Sequence, residues 1–483
     1  MKKNMPFISV LFFCILLVVS NMVHAQVVPE SYRRQKQQEM TRFGDSIYDE
    51  FVRYLEQLWT EYQLFEGEHS PRSIKPVQQP LLHDNDSDDT LKIDLLLHHG
   101  EISTIQAVKH NAIQLKKKGE FQVKSRDFLV PFYGRNNTVR IPNKVNTLRL
   151  SGTHERQVAR FWKQLLDEHA DQCAVSLDQY RRNFYLGDWG LFDLIRHVSA
   201  TVYPDLPDEQ AVLTVFLLDA LHYYARIGRM DSRLVMLVNT GSRLYEVPYV
   251  TLDSIRYYAF GNLSRKRRIH TYDRQMAAAD RAVDLHLPYS PQLGGGLSSR
   301  AFCYNYSGSN MVFRVNQSLI DFYSLFPQTE LSVYASAALE ESIAAALQQE
   351  LHPLVEGLGT EQALNLLLDF IQHGFKYQTD VKQFGQEKTF FCEENFFYPA
   401  NDCEDRAILF ARVVRLLFNY DVVLLEFDDH VATAVHIPGR KIRGHHLDLQ
   451  GRRFMVCDPT YIGATVGDLG RKYRNKTPKI IAL

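Results

Sequence analysis

The chain has 483 residues, with 55 Lys+Arg against 56 Asp+Glu and a formal net charge of -1. A hydrophobic share of 45% and a charged share of 23% exclude wholesale disorder, and near-neutral charge excludes a global drive toward nucleic acid or an anionic membrane. At roughly 150 residues per domain this length predicts two to four domains, and six cysteines are too few for a disulfide-stapled scaffold.

The N-terminus predicts export. Lys2 and Lys3 precede an apolar run from Phe7 to Val19 broken only by Ser9, and Val23-His24-Ala25 sets small residues before Gln26. That is the layout of a secretory signal peptide over residues 1–25, with an apolar run short for a membrane span. Its removal takes away two lysines and no acid, moving the net charge from -1 to -3. The expected location is periplasmic or secreted, with no integral membrane span after signal removal. Cys173, Cys303, Cys392, Cys403 and Cys457 then remain, so at least one thiol is free or pairs between chains. No CxxC pair occurs, which argues against a zinc ribbon or a thioredoxin-like redox site.

In chain order, residues 42–62 read as an amphipathic helix, with Ile47, Phe51, Tyr54, Leu55, Leu58 and Tyr62 at helical spacing. Residues 66–92 are polar and proline-bearing, so 26–92 is an N-terminal helix with a polar linker. Residues 93–335 form a mixed strand and helix accessory region. Its first part, 93–150, reads as strands with a solvated turn at Lys116-Lys117-Lys118; 153–230 reads as helical, 234–260 as strands, and 282–335 as further alternation around Gly294-Gly295-Gly296. Arg265-Lys266-Arg267-Arg268 reads as a solvated loop cluster. EQAVLTVFLLDALHYYARIGRMDSRLVMLVN repeats the helix-then-strand order of EDRAILFARVVRLLFNYDVVLLEF, so 153–260 is a candidate degenerate copy of the C-terminal core. No cysteine stands near Pro207 and no histidine follows in the strand, and an ordinary helix–strand pair is the plainer reading. From about 338 the chain is helical to Gly374.

The chemistry concentrates in 383–461. Asp402 is a good N-cap for a helix striped by Ala407, Ala411, Val414 and Phe418, which puts Cys403 on its first turn. There the helix dipole favours thiolate, while Asp402, Glu404 and Asp405 oppose it by like charge, so a base is required. His430 opens the strand-like run Val431–Val435, with Ala432 and Ala434 on its face and room beside them for the helix end bearing Cys403. Phe454–Cys457 reads as a strand stopped by Pro459, and Asp458 there suits the orienter of His430. Alternation turns Cys457 to the opposite face. His436, His445 and His446 could suggest a metal site with Asp448, but adjacent histidines on a strand face apart, so no metal site is expected. A disulfide between Cys403 and Cys392 would abolish the chemistry.

NDCEDRAILFARVVRLL, DHVATAV and CDPTYIG, in this order, resemble the three core motifs of the transglutaminase-like superfamily of papain-like thiol enzymes, most of all its secreted bacterial members. The resemblance covers 338–483. It implies an α+β catalytic core, with the cysteine-bearing helix packed on an antiparallel sheet, inside a multidomain chain. It implies Cys403 as nucleophile, His430 as general base then acid, and Asp458 as orienter. It also implies an oxyanion partner upstream, for which Gln383 is the candidate beside the Cys403 N–H, with Gln386 as second choice. The chain departs from the family in the long separation of His430 from Asp458, where PGRKIRGHHLDLQG reads as an extended hairpin. No tryptophan follows Cys403, so an aromatic wall must come from Phe390, Phe391, Phe396, Phe397 or Tyr398.

The expected function is cleavage of amide (peptide) bonds by an exported thiol hydrolase through an acyl-enzyme, without a cofactor. The expected partner is a polypeptide or a cell-envelope amide, not nucleic acid. A noncatalytic scaffold on the same fold and an acyl transferase that crosslinks envelope polymers are the alternatives. They differ in the reactivity of Cys403 and in whether amines are incorporated.

Overall fold

The computed structural model describes residues 48–70, 123–263, 268–274, 279–306, 308–439 and 443–483. The signal segment, most of the predicted linker, the strands expected before 123, Lys116–Lys118 and Arg265–Arg267 lie outside the described residues. Two compact units are present, 1–54 and 55–483. Residues 48–54 of the first are helical. The helix expected over 42–62 ends at Leu55: Leu58 is 89% exposed, and Thr60–Gln63 is instead strand β1. Helical spacing loses there to strand pairing, since Thr60 to Gln63 run opposite Thr271 to Arg268.

In the second unit, β2 (Ser125–Phe132) and β3 (Arg135–Pro142) form a hairpin that precedes four helices: α1 (Glu155–Asp167), α2 (Gln172–Asn183), α3 (Gly187–Val202) and α4 (Pro207–Ala220). The helical stretch expected to 230 therefore stops early. Ala225–Met230 is β4, turned tightly into β5 (Arg233–Val238), where each buried residue finds its backbone partner across the hairpin. With β6 (Tyr249–Leu252), β7 (Ile255–Phe260) and β8 (Arg268–Thr271) they form a sheet of order β1-β8-β4-β5-β7-β6. A hairpin of β9 (Phe302–Tyr306) and β10 (Ser309–Phe313) follows. Two helices, α5 (Gln317–Ser324) and α6 (Leu331–Ser336), replace the alternation expected to 335. Asn316 caps α5 by accepting the Ser318 amide, and Leu319, Ile320, Phe322 and Tyr323 are buried, so the apolar run is a helix face.

Helices α7 (Glu341–Val355) and α8 (Thr360–Gly374) match the expected helical stretch. A short α9 (Asp380–Phe384) precedes α10 (Cys403–Phe418). Strands β11 (Val422–Glu426), β12 (Val431–His436), β13 (His446–Leu449), β14 (Arg452–Cys457) and β15 (Lys479–Ala482) make an antiparallel sheet of order β13-β14-β12-β11-β15. The fold is mixed α and β, and among the described residues no helix is long and apolar enough to cross a membrane.

Helix α10 packs on β11 and β12, as α4 packs on β4 and β5. The orders β13-β14-β12-β11-β15 and β6-β7-β5-β4-β8 are the same connectivity, antiparallel throughout. At the first residues of α4, Asp208 Oδ1 accepts the Leu234 amide at 2.7 Å, so this helix start reaches the start of β5. Ala432 and Ala434 pack with Val423, Leu425, Val456, Leu469 and Tyr473. The room beside these alanines is thus filled from the C-terminal segment and not by α10, which corrects the packing expected from their size. Gly444 and Gly467 meet backbone to backbone: a Cβ on Gly444 would lie 2.5 Å from the Gly467 Cα. His445 N donates to Gly467 O at 2.7 Å, and Gly467 N to Val456 O at 2.8 Å, tying the entry of β13 to the loop after Asp458.

A short 3-10 turn, Cys392–Phe396, buries two carboxylates ahead of α10. Glu394 accepts from Lys388 Nζ at 2.7 Å, whereas Glu393 accepts the Glu340 amide at 2.6 Å. Burial pushes the Glu393 carboxyl up to about 7, against that amide and Arg412, while Glu340 adds to the rise. Cys392 and Tyr323 also face it. The native state therefore holds a proton that the unfolded chain has released, and stability falls as pH rises from about 4.5 to 7. Glu393→Gln keeps the acceptor without the charge. It is expected to exceed the wild type by up to about 3 kcal/mol at pH 8 and to match it near pH 4.5 in urea unfolding. An equal gap at both pH values would contradict this.

Candidate active site

Cys403 is the first residue of α10 because the chain before it is fixed by buried polar contacts. Asp405 reaches back to accept the Asp402 amide at 3.2 Å and, with its other oxygen, the Phe390 amide at 2.9 Å. Arg406 Nε donates to Asn401 Oδ1 at 2.8 Å, and its guanidinium also binds the Phe375 carbonyl. At the far end Asn419 takes the left-handed conformation, φ 54°, and closes the helix through its amide on Arg415 O. Cys403 is 1% exposed, and its sulfur donates to Glu404 Oε2 at 3.3 Å.

His430 closes the turn between β11 and β12, where its carbonyl accepts the Phe427 amide at 2.8 Å. His430 Nε2 lies 2.8 Å from Asp458 Oδ2, and Asp458 Oδ1 accepts the Thr460 amide at 3.0 Å; both side chains are fully buried. A carboxylate only accepts, so Nε2 carries the proton and Nδ1 is the basic nitrogen. Nδ1 is buried and has no hydrogen-bond partner. Tyr473 stacks on the imidazole at 4.8 Å and Tyr461 meets it edge-on at 5.3 Å. Tyr473 also donates to Asp429 at 3.3 Å, and Asp429 pairs with Lys472.

Tyr461 links the two halves of the site. Burial pushes its hydroxyl up to about 12, with the Asp458 charge adding to the rise, and the hydroxyl lies near both Asp458 and Cys403. From α8, Gln372 donates to Asp458 O at 3.3 Å and to Ala464 O at 3.0 Å, and accepts the Gly463 amide at 2.9 Å. Sequence reasoning missed Gln372, Tyr461 and Tyr473. For Gln372 the signal was a polar residue inside the apolar stripe of Leu364, Leu367, Leu368 and Ile371.

Gln383, on α9, donates to Ala400 O at 3.2 Å, three residues before Cys403, and its Oε1 is buried without a partner. One of its two amide protons is thus engaged by the loop that carries Cys403. Gln386 is exposed. Of the aromatic candidates, Phe391 stacks on Tyr323 at 4.0 Å and Phe396 packs with Phe313 at 4.7 Å, so both are core residues. Phe390 and Tyr398 pack together at 5.0 Å under Lys388, with Phe397 against Tyr398. Cys392, Cys403 and Cys457 are free thiols, and burial pushes Cys457 far above the usual thiol range.

Three overlapping groups, Asp402 with Cys403 and Glu404, Asp380 with Asp402 and Asp405, and Asp380 with Glu387 and Glu404, each bring three ligand atoms, carboxylate oxygens or the Cys403 sulfur, within 4.8 Å of one another. Asp380 accepts the Lys388 amide, Asp405 two amides and Glu404 the thiol. His436 and His446 bind the backbone carbonyls of Arg453 and Gly444, and among the described residues neither belongs to a metal-ligand group. Compared with family models, curated proteins and solved structures, the chain gives no match.

Proposed function

We propose that this chain is an exported thiol hydrolase that cleaves amide bonds of polypeptides through Cys403, His430 and Asp458 on a transglutaminase-like, papain-like core. The observation that carries this reading is the state of His430: one nitrogen held by Asp458, the other basic, buried and unsatisfied. A buried acceptor without a partner costs free energy, and a nitrogen kept in that state is available to take a proton. Cys403, at the start of the helix packed on the same strands, is the proton's source.

His430 Nδ1 takes the Cys403 proton and the imidazolium is stabilised by Asp458. The thiolate attacks the carbonyl carbon, and the oxyanion is met by the Cys403 N–H and the remaining amide proton of Gln383. The imidazolium then protonates the leaving amine, and water, deprotonated by His430, hydrolyses the acyl-enzyme. The shared connectivity of the two sheets supports reading 153–260 as a copy of the core without nucleophile or base, a scaffold for the second.

The burial of all three side chains favours a second reading, a noncatalytic scaffold. The test is to incubate the full chain with a peptide library and count new amino termini by mass spectrometry, beside Cys403→Ala. Termini formed only by the wild type support the hydrolase. Their absence, with Cys403 labelling no faster than Cys303, transfers the reading to the scaffold.

A further inference from the structure

We propose that Glu404 is a latch on the nucleophile: its carboxylate holds the Cys403 thiol proton, so the resting protein keeps a neutral sulfur whose proton is not on His430. This deepens the reading above and rests on it for the role of His430. Two observations meet here. The sulfur donates to Glu404 Oε2 at 3.3 Å, and His430 Nδ1, the atom that should receive that proton, has no partner. Both carboxylate and thiol are buried, so the contact is not exchanged for water.

A carboxylate that accepts from S–H stabilises the thiol and repels the thiolate, opposing the dipole of α10. The groups around it do not all act alike. Asp402 and Asp405 on the same turn, with Asp380 and Glu387 from and after α9, add negative charge; Arg406 adds a positive one; Tyr461, whose ring meets His430 edge-on, lies near Cys403. Activation is then a proton transfer with no net charge change. The S–H bond breaks, the electron pair stays on sulfur, and the proton binds His430 Nδ1, while Glu404 remains a carboxylate. Glu404 acts through Cys403, as a positioning residue.

The experiment titrates thiolate absorbance of the full chain, each variant read against the same variant carrying Cys403→Ser. This readout needs no reagent to reach the buried sulfur. Glu404→Gln, which keeps size and removes charge, is expected to give about tenfold more Cys403 thiolate at neutral pH. Glu404→Asp, which keeps charge on a shorter arm, should fall between it and the wild type. An unchanged or smaller thiolate fraction in Glu404→Gln overturns the latch. The wild type supplies an independent check: the infrared S–H stretch lost in Cys403→Ser should be shifted to lower frequency than that of a free thiol, and an unshifted band also overturns it. His430→Ala separates the two claims. If it leaves the Cys403 titration unchanged, the hydrolase reading fails while a Glu404→Gln shift in that background sustains the latch. If it lowers thiolate while Glu404→Gln does nothing, the reverse holds.

Discussion

Asp458→Asn is expected to lower the rate of Cys403 acylation by an activated ester about 10⁴-fold while leaving the protein folded. The side chains are isosteric, and the loop that carries residue 458 is pinned independently by Gln372 through the carbonyls of Asp458 and Ala464 and the Gly463 amide. What changes is the tautomer. Asp458 accepts at Oδ2 from His430 Nε2, which leaves Nδ1 unprotonated. The asparagine amide, if it donates there, moves the proton to Nδ1 and removes the base. The imidazolium also loses its counter-charge in a fully buried setting, where that charge is worth most. The single-turnover burst measures the step directly. A burst rate within a few-fold of the wild type would show that His430 is not the base, and that the Asp458 contact is structural.

Such a result would matter because the three residues were legible in the sequence for reasons that are local. A capped helix start, a strand beginning after Asp429 and a strand ending before Pro459 can each be read from a few neighbours. The structure adds the pairing of His430 with Asp458, which are 28 residues apart. What the sequence hid depends on tertiary contacts. Gln372 acts on a loop some ninety residues away, and Tyr473 reaches His430 from beyond the Asp458 loop. The misread elements have the same cause. Thr60–Gln63 carries helical spacing but is claimed by β8, and Ala225–Met230 lies next to a helix but is claimed by β5. Gln317–Ser324 went the other way, since a local cap at Asn316 decided for helix what apolar alternation had left ambiguous. Hydrophobic pattern thus marked the helix and strand ends that carry Cys403, His430 and Asp458 better than it separated the elements around them.

The shared connectivity of the two sheets bears on how the site is built. In the first sheet, a helix-start carboxylate, Asp208, binds the amide of Leu234 at the start of β5. The corresponding place in the second sheet has a thiol at the helix start and an imidazole just before β12. One helix-on-hairpin geometry can serve structure when the facing groups are a carboxylate and an amide, and chemistry when they are a thiol and an imidazole. The difference lies in side chains and not in topology.

The largest loss of stability is expected at Arg406. Its guanidinium is fully buried, donates from Nε to Asn401 at 2.8 Å and to the Phe375 carbonyl, and lies 5.3 Å from the Tyr377 ring. Burial draws its pKa down to about 10, while Tyr377, Asp402 and Asp405 resist that fall, so it stays charged at neutral pH. It lies against a crowded set of acids around the helix start, Asp402 and Asp405 among them. Arg406→Met replaces the stem but leaves Asp402 and Asp405 buried without it, an uncompensated charge of the kind that costs about 3–5 kcal/mol. The two donor contacts that order Asn401 and the end of α8 are lost with it. Arg406→Lys restores charge but not the planar fork, and should recover only part of the loss. Urea unfolding of both variants checks this at pH 7. A loss below about 1 kcal/mol in Arg406→Met would mean that the neighbouring acids are already protonated. The like-charge argument against a spontaneous Cys403 thiolate would weaken in proportion.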